Sequence, residues 1–135
     1  APKSNAKHPV HLLGIGDPVD IWRLIKSGVD TFDCVSPTRL ARHGAALLRT
    51  RKGKINIKNS KYKDIKKPID INCKCQTCRK YTLSYIHHLL KSQELLGLNL
   101  VTEHNIYFMN KLMEYIRQGI DQDKILEAEK AWYLD

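Results

Sequence analysis

The segment Cys73-Lys74-Cys75-Gln76-Thr77-Cys78 contains three of the four cysteines of the chain. This spacing lets one tight turn direct three thiolates at a single point, which is the arrangement that tetrahedral zinc coordination requires. A disulfide framework is the alternative, but Cys73 and Cys75 are too close along the chain to bridge easily, and nothing in the sequence indicates secretion. The motif therefore predicts one structural zinc ion bound by these thiolates.

The fourth zinc ligand has several candidates, which are His87, His88, His104 and the upstream Cys34. Adjacent residues on a helix point about 100° apart, so at most one of His87 and His88 can face the metal. His104 lies where the chain has returned through one helix and begins the next, a position that can close a metal site. Spacing alone favours His104 only slightly.

Upstream of the cysteines, the apolar pattern predicts a βαβ unit. Residues 10–16 and 29–35 read as buried strands, and the helix between them begins at an Asp17 N-cap followed by proline. Strands joined by one helix should be parallel, and a ligand site should lie at their C-terminal ends. Gly14 and Asp33 fall at those ends.

Downstream, periodicity predicts a hairpin and then helices, so the fold class is α/β. The predicted elements are a loop at 36–39, strands at 45–50 and 55–58, and helices at 79–96, 103–119 and 125–134. Gly97 and Gly119 are interpreted as the residues that end two of these helices. The positions predicted to be buried in the helices are Leu83, Ile86, Leu89, Leu90, Ile106, Tyr107, Met109, Leu112, Met113 and Ile116.

Composition indicates a globular domain with a basic surface. The chain has 42% hydrophobic residues and a net charge of +9, and no apolar run approaches the roughly 18 to 20 residues that cross a bilayer. We therefore expect no membrane segment, and residues 1–9 read as a linker or a cut end. One stretch carries nine cations against the single acid Asp64: Arg49, Arg51, Lys52, Lys54, Lys58, Lys61, Lys63, Lys66 and Lys67. Such a cluster favours a polyanionic partner, although a solvated loop would have the same composition.

The residues from Gly28 to Gly44 read GVDTFDCVSPTRLARHG, and this string resembles the active-site strand and following loop of queuosine-type tRNA-guanine transglycosylases. Further matches keep the order of that family, from Leu13-Gly14-Ile15-Gly16 through the cysteine motif to Thr102-Glu103-His104-Asn105-Ile106. Together they cover nearly all of the chain between Val10 and about Gly119.

The resemblance implies the C-terminal portion of a TIM barrel, namely its last two strands, with an inserted zinc-binding subdomain and C-terminal helices. Residues 1–44 would form the terminal βαβ segment with the active-site strand. Residues 45–104 would form the zinc subdomain with the basic hairpin, and residues 105–135 the C-terminal helices. A complete barrel needs about 250 residues, so we expect the chain to be a fragment, one half of a split protein or an isolated domain.

The resemblance also implies an activity and its site residues. In the family a carboxylate attacks C1′ of the wobble guanosine of a tRNA anticodon loop, and a 7-deazaguanine base, prequeuosine base or queuine, replaces guanine. Asp33 matches that nucleophile. Leu13 and Gly14 match the wall of the base pocket, Arg39 and Arg42 match arginines that hold the RNA, and Cys73, Cys75, Cys78 and His104 match the Zn²⁺ ligands.

The general acid/base of the family has no match in this sequence, so we expect the chain alone to be inactive. A homodimer or a complementing chain is the expected assembly, in the cytoplasm. The rival interpretation is a non-catalytic, zinc-stabilised RNA-binding module, or the partner subunit of a two-chain transglycosylase. That interpretation would not need Phe32-Asp33-Cys34 intact. A redox or zinc-storage protein is a third possibility, which would leave the arginines unexplained.

Overall fold

The structure is a computed structural model that describes residues 8–135, so most of the predicted N-terminal linker lies outside the described residues. Its elements in chain order are β1 His11–Leu13, α1 Pro18–Lys26, β2 Thr31–Asp33, α2 Ser36–Arg42, β3 Ala45–Leu47, β4 Lys54–Asn56, a 3-10 turn Ser60–Tyr62, α3 Gln76–Lys80, α4 Leu83–Lys91, α5 Leu95–Asp121 and α6 Ile125–Trp132. The fold is therefore mixed α/β.

The predicted βαβ unit is present. Strands β1 and β2 pair in parallel, with His11 opposite Thr31 and Leu13 opposite Asp33. Helix α1 connects them and begins as predicted, because the Asp17 carboxylate accepts a hydrogen bond from the backbone N–H of Val19 at 3.1 Å. This cap satisfies one of the amides that a helix N-terminus leaves unpaired. Both strands are shorter than predicted.

The hairpin is also present, whereas the predicted loop at 36–39 is wrong. Strands β3 and β4 pair antiparallel. Between β2 and β3 the chain forms helix α2, with Pro37 in its first turn. A proline is tolerated there because the amide groups of the first turn have no partner within the helix. The helix ends at Arg42, and Gly44, whose φ is +79°, turns the chain into β3.

The two predicted glycine stops are wrong for a common physical reason. The break after α4 occurs at Ser92–Glu94, and α5 then runs through both Gly97 and Gly119. A Cβ on Gly97 would lie 3.0 Å from Leu89 Cβ, and one on Gly119 would lie 2.8 Å from Ala128 Cβ. Each glycine therefore permits a close helix–helix contact instead of ending a helix.

Two hydrophobic clusters hold the elements together, and α5 contributes to both. The first cluster packs the hairpin and the cysteine turn against α4 and the N-terminal half of α5. The second packs α1 and α6 against the C-terminal half of α5, around Trp22, Phe108 and Trp132. Most of the predicted core positions are buried or half-buried, but Ile106 is 44% exposed, so its assignment to the core is wrong. Among the described residues, none of the helices combines the length and the hydropathy needed to cross a membrane.

Candidate functional site

The cysteine turn and helix α5 bring four ligand atoms together. The sulfurs of Cys73, Cys75 and Cys78 and a nitrogen of His104 all lie within 4.8 Å of one another. His104 Nδ1 is 3.6 Å from the sulfurs of Cys73 and Cys75 and 3.3 Å from that of Cys78. A tetrahedral ion with Zn–S of about 2.3 Å and Zn–N of about 2.0 Å would hold sulfur and nitrogen about 3.5 Å apart. The four residues therefore form a metal-binding group whose geometry fits zinc.

The other candidates for the fourth ligand are occupied elsewhere or lie outside this group. His87 is buried, but its Nδ1 is hydrogen bonded to the backbone carbonyl of Ile57 at 2.7 Å. His87 is therefore a packed histidine. His88 and Cys34 are not members of the group that the structure brings together.

The imidazole of His104 is oriented by the hairpin. Its Nε2 donates a hydrogen bond to the backbone carbonyl of Leu47 at 2.8 Å, which leaves Nδ1 free to face the three sulfurs. A hydrogen bond of this kind fixes the tautomer and the ring orientation of a metal-ligating histidine. Strand β3 is thus coupled to the metal centre through one side chain.

The three cysteines and His104 share protons when no metal is bound. Hydrogen bonds from Cys73 and Cys78 hold the pKa of the Cys75 thiol far below its usual value, while hydrogen bonding with Cys73 raises the pKa of Cys78. Burial lowers the pKa of His104, but hydrogen bonds to the cysteines outweigh it and raise that pKa to about 10. The pKa values of Cys75 and Cys78 shift in opposite directions because the two thiols share protons through hydrogen bonds. A divalent ion displaces these protons on binding.

Burial indicates that the metal is structural. His104 is fully buried, Cys75 is 2% exposed and Cys78 is 8% exposed. Four protein ligands leave no open coordination position for water or substrate, which is typical of structural zinc sites. The ion would join the cysteine turn, the hairpin and α5.

The sequence interpretation missed Asn105, which is fully buried beside His104. Its Oδ1 accepts from the backbone N–H of Leu47 at 2.9 Å, and its Nδ2 donates to the carbonyls of Pro37 at 2.9 Å and Ala45 at 3.0 Å. One side chain therefore joins α5 to the start of α2 and to β3. A polar residue on the buried face of a helix is the signal that could have identified it.

A second group of residues lies at the C-terminal ends of β1 and β2. The backbone N–H of Gly14 donates to the backbone carbonyl of Asp33 at 2.9 Å and approaches its carboxylate Oδ1 at 3.2 Å. The Asp33 side chain is 64% exposed, and Leu13 beside it is 70% exposed. The structure thus brings together Leu13, Gly14 and Asp33 at one open edge.

His11 is a neighbour of Asp33 that the sequence interpretation did not include. Its Nε2 is 3.9 Å from Asp33 Oδ2, and its Nδ1 is 2.7 Å from the hydroxyl of Thr31. Period-two alternation puts His11 and Leu13 on the same face of β1, and the parallel register puts Asp33 opposite Leu13. Strand register was the signal that could have found this contact.

Arg39 and Arg42 lie on α2, the helix that follows β2. Their spacing of three residues places them on neighbouring turns of one helix face, and both side chains are exposed. Within residues 8–135, neither guanidinium takes part in a hydrogen bond or an ion pair of the structure. The two cations are therefore available to an external anion near the Asp33 edge.

Comparison with known proteins identifies the family to which the chain is similar. The family model described as queuine tRNA-ribosyltransferase matches residues 1–135. A queuine tRNA-ribosyltransferase of Roseiflexus sp. is 49% identical over 126 residues, which are 92% of this chain and 32% of that protein. One of Fusobacterium nucleatum is 45% identical over 130 residues, which are 96% of this chain and 34% of that protein. The chain spans about one third of the length of these curated relatives. The chain belongs to the queuine tRNA-ribosyltransferase family.

Proposed function

We propose that the chain carries the nucleophile and part of the RNA-binding surface of an enzyme that exchanges a guanine base in tRNA. The observation that carries this proposal is the position of Asp33, an exposed carboxylate at the C-terminal edge of a parallel strand pair in a chain of this family. That edge is where TIM-barrel enzymes place catalytic side chains.

The proposed reaction proceeds by two displacements at C1′ of the wobble guanosine. An Asp33 carboxylate oxygen forms a bond to C1′ while the bond from C1′ to guanine N9 breaks, and the departing guanine takes a proton. A 7-deazaguanine base then attacks C1′, loses a proton, and releases the Asp33 carboxylate. A carboxylate is suited to this work because it forms glycosyl-enzyme intermediates.

Neighbouring groups give Asp33 a defined position for such an attack. The Gly14 amide lies 3.2 Å from Oδ1, which restrains the carboxylate, and Oδ2 lies 3.9 Å from His11 Nε2. We propose that Leu13 and Gly14 form one wall of the pocket for the flipped base, since a base must leave the RNA stack before it can be exchanged. Arg39 and Arg42 would hold the adjoining anticodon loop.

The βαβ unit supports the proposal that it forms the last two strands of a barrel. Its exposed apolar side chains are Val10, Leu13, Ile15, Val19 and Val35. An exposed group of this kind on a two-stranded sheet favours coverage by further strands, either of the same protein or of a second copy or complementing chain. Because the substrate is tRNA, we place the enzyme in the cytoplasm.

The nucleophile is tested by Asp33→Asn in a protein that carries the full family length. We expect the variant to lose the covalent RNA adduct, seen as a shifted band on a denaturing gel, while it retains tRNA binding. The amide keeps the shape of the side chain but is a poor nucleophile. Asp30→Asn is the matched control, because Asp30 lies just before β2 and, among residues 8–135, its carboxylate accepts a hydrogen bond from the Val10 amide alone.

Unchanged adduct formation in Asp33→Asn would remove Asp33 from the nucleophile role. A wild-type protein that binds the RNA tightly but forms no adduct would instead favour the non-catalytic RNA-binding module.

A further inference from the structure

The two faces of the sheet formed by β1 and β2 differ in character. On one face Phe32 packs against the second hydrophobic cluster, and Leu12 lies opposite it in the parallel register. Because side chains alternate along a strand, the other face carries His11, Leu13, Thr31 and Asp33. His11 and Thr31 lie two residues before the ends of their strands, which is about 6 to 7 Å deeper than Asp33. A polar pair therefore lies directly below the proposed nucleophile.

The imidazole of His11 lies between a hydroxyl and a carboxylate. Its Nδ1 is 2.7 Å from Thr31 Oγ1, which is a hydrogen-bond distance, and its Nε2 is 3.9 Å from Asp33 Oδ2. Among residues 8–135, the other polar contact of this carboxylate is the Gly14 amide, 3.2 Å from Oδ1. Each oxygen of the proposed nucleophile therefore has one nitrogen neighbour, and all of these groups belong to two paired strands of this chain.

The charge of Asp33 selects one tautomer of His11. With the proton on Nδ1, the ring would donate to Thr31 and turn the lone pair of Nε2 towards a negatively charged oxygen. With the proton on Nε2, the ring directs an N–H group at Oδ2, while Nδ1 accepts a hydrogen bond from the Thr31 hydroxyl. The second arrangement avoids the repulsion, and the hydrogen bond at one ring nitrogen fixes which nitrogen carries the proton. Thr31 thus orients His11 as a donor towards Asp33.

A donor beside each oxygen restrains Asp33 without blocking it. An ionised carboxylate has about four lone-pair directions, so the Gly14 amide and His11 occupy two of them and leave the others for C1′. The 3.9 Å between Nε2 and Oδ2 is longer than a hydrogen bond, but catalytic hydrogen bonds are often long in substrate-free proteins and shorten in the complex. The side chains of His11 and Asp33 are 45% and 64% exposed, so a small rotation of either can close this distance.

The charge of the carboxylate changes during the proposed reaction. In the covalent intermediate Asp33 is an uncharged ester. When the incoming base attacks C1′, the bond between C1′ and the Asp33 oxygen breaks, and its electron pair returns to the carboxylate. The proton that the base loses goes to the separate general acid/base of the site, because Nε2 of His11 already carries one. A donor placed in advance where negative charge develops lowers the barrier of such a step.

We propose that His11 is a positioning residue for Asp33. Its neutral imidazole, oriented by the Thr31 hydroxyl, holds the carboxylate for attack on C1′ and stabilises it as it leaves the covalent intermediate. This inference rests on the proposed function and adds a residue that acts through the nucleophile instead of contacting the RNA. It therefore predicts a change in the rate of the chemical steps with little change in tRNA affinity.

The test measures discharge of the covalent adduct in a protein that carries the full family length. The adduct is formed with tRNA without free base, isolated, and mixed with prequeuosine base, and its loss is followed on a denaturing gel. We expect His11→Phe to slow discharge by about 10- to 100-fold, which is the value of a hydrogen bond to a charged group. We expect the affinity for tRNA to stay within about twofold of the parent, because the lost interaction is made to the nucleophile.

Two further variants separate the donor from the bulk of the ring. His11→Gln provides an amide N–H that can reach the place of Nε2, so we expect discharge within about threefold of the parent. Thr31→Val keeps the shape of the side chain but removes the hydroxyl, and we expect discharge to slow by about two- to tenfold, as for loss of a neutral hydrogen bond.

The matched control is His8→Phe, which makes the same substitution at an exposed histidine before β1 and should discharge its adduct at the parental rate. Thermal melts and zinc content verify that the variants are folded. If His11→Phe does not fold, His11→Asn replaces it, because its shorter amide can reach Thr31 but not Asp33.

Three results would overturn the role of His11. They are parental discharge in His11→Phe, equal slowing in His11→Phe and His11→Gln, and a loss of tRNA affinity that matches the loss of rate. In each of these cases a parent protein that forms and discharges the adduct leaves the proposed function standing. A parent protein that binds tRNA but forms no adduct would instead refute the proposed base exchange, and the role of His11 with it.

Discussion

At the scale of single residues, neighbouring polar side chains on the buried face of α5 have complementary roles. His104 faces the cysteine sulfurs and donates to the Leu47 carbonyl, while Asn105 accepts from the Leu47 amide. Both backbone groups of one hairpin residue are thus satisfied by adjacent residues of a helix. The metal centre and the start of α2 are therefore linked through β3.

We predict that Asn105→Ala lowers the free energy of unfolding by about 2 to 4 kcal/mol, because it leaves the buried backbone groups of Leu47, Pro37 and Ala45 without their partner. Chemical denaturation of the zinc-loaded chain would measure the loss. Asn110→Ala is the control on the same helix, because Asn110 is exposed and should change stability by less than about 0.5 kcal/mol. Equal effects of the two substitutions would contradict the role of Asn105.

At the scale of elements, the proposed zinc ion ties together parts of the chain that have little core of their own. Helix α3 has five residues, and the strands of the hairpin have three each. Such short elements are marginal unless tertiary contacts hold them. Thr77 adds one such contact, since its hydroxyl donates to the Leu100 carbonyl at 2.7 Å.

We predict that His104→Ala abolishes stoichiometric zinc binding and lowers the melting temperature by about 10 °C or more, since metal binding stabilises only the folded state. His87→Ala should retain one zinc per chain and lose only the hydrogen bond to Ile57. We expect this loss to lower the free energy of unfolding by about 1 to 3 kcal/mol, a smaller effect than that of His104→Ala. Metal analysis and thermal melts measure both effects. Full zinc binding and an unchanged melting temperature in Cys73→Ser/Cys75→Ser would show that the metal is bound elsewhere.

The elements that the sequence could predict are those specified by local chemistry. Three such features act within a few residues: the Asp17 cap, the alternation of the hairpin and the cysteine spacing. They can therefore be predicted from the sequence without knowledge of the fold. The role of Gly119 depends on Ala128 across a helix pair, and that of Asn105 on backbone groups nearly 60 residues upstream. Spacing favoured His104 only slightly and the resemblance supplied the assignment, because the sequence does not give the distance between α5 and the cysteine turn.

At the scale of the whole molecule, α5 organises both hydrophobic clusters and the metal centre. Its Leu100 and Val101 belong to the first cluster, while Phe108, Leu112 and Ile116 belong to the second. His104 lies between these two sets along the helix. The Asp33 edge, in contrast, lies on the two-stranded sheet and borders exposed apolar side chains. The core is thus organised around α5, while the edge where the proposed chemistry occurs is exposed.

The openness of that edge leads to the prediction that the 135-residue chain alone binds zinc but does not exchange guanine at a measurable rate. Departure of guanine needs a positioned proton donor, and a nucleophile without one forfeits a factor of about 100 to 10,000. Within residues 8–135, the titratable side chain in contact with the Asp33 carboxylate is His11, whose Nε2 lies 3.9 Å from Oδ2, and no second carboxylate shares this contact.

The measurement is incorporation of radiolabelled guanine into a cognate tRNA, first by the chain alone and then after addition of the segment that corresponds to the remaining two thirds of a relative. Exchange that appears only in the combined sample is the expected result, because the added strands would cover the apolar edge and bring the missing acid/base to Asp33. A full-length relative serves as the positive control. Robust exchange by the chain alone would mean that these residues assemble a complete site, with His11 as the first candidate for the proton donor, and His11→Phe would then test that assignment.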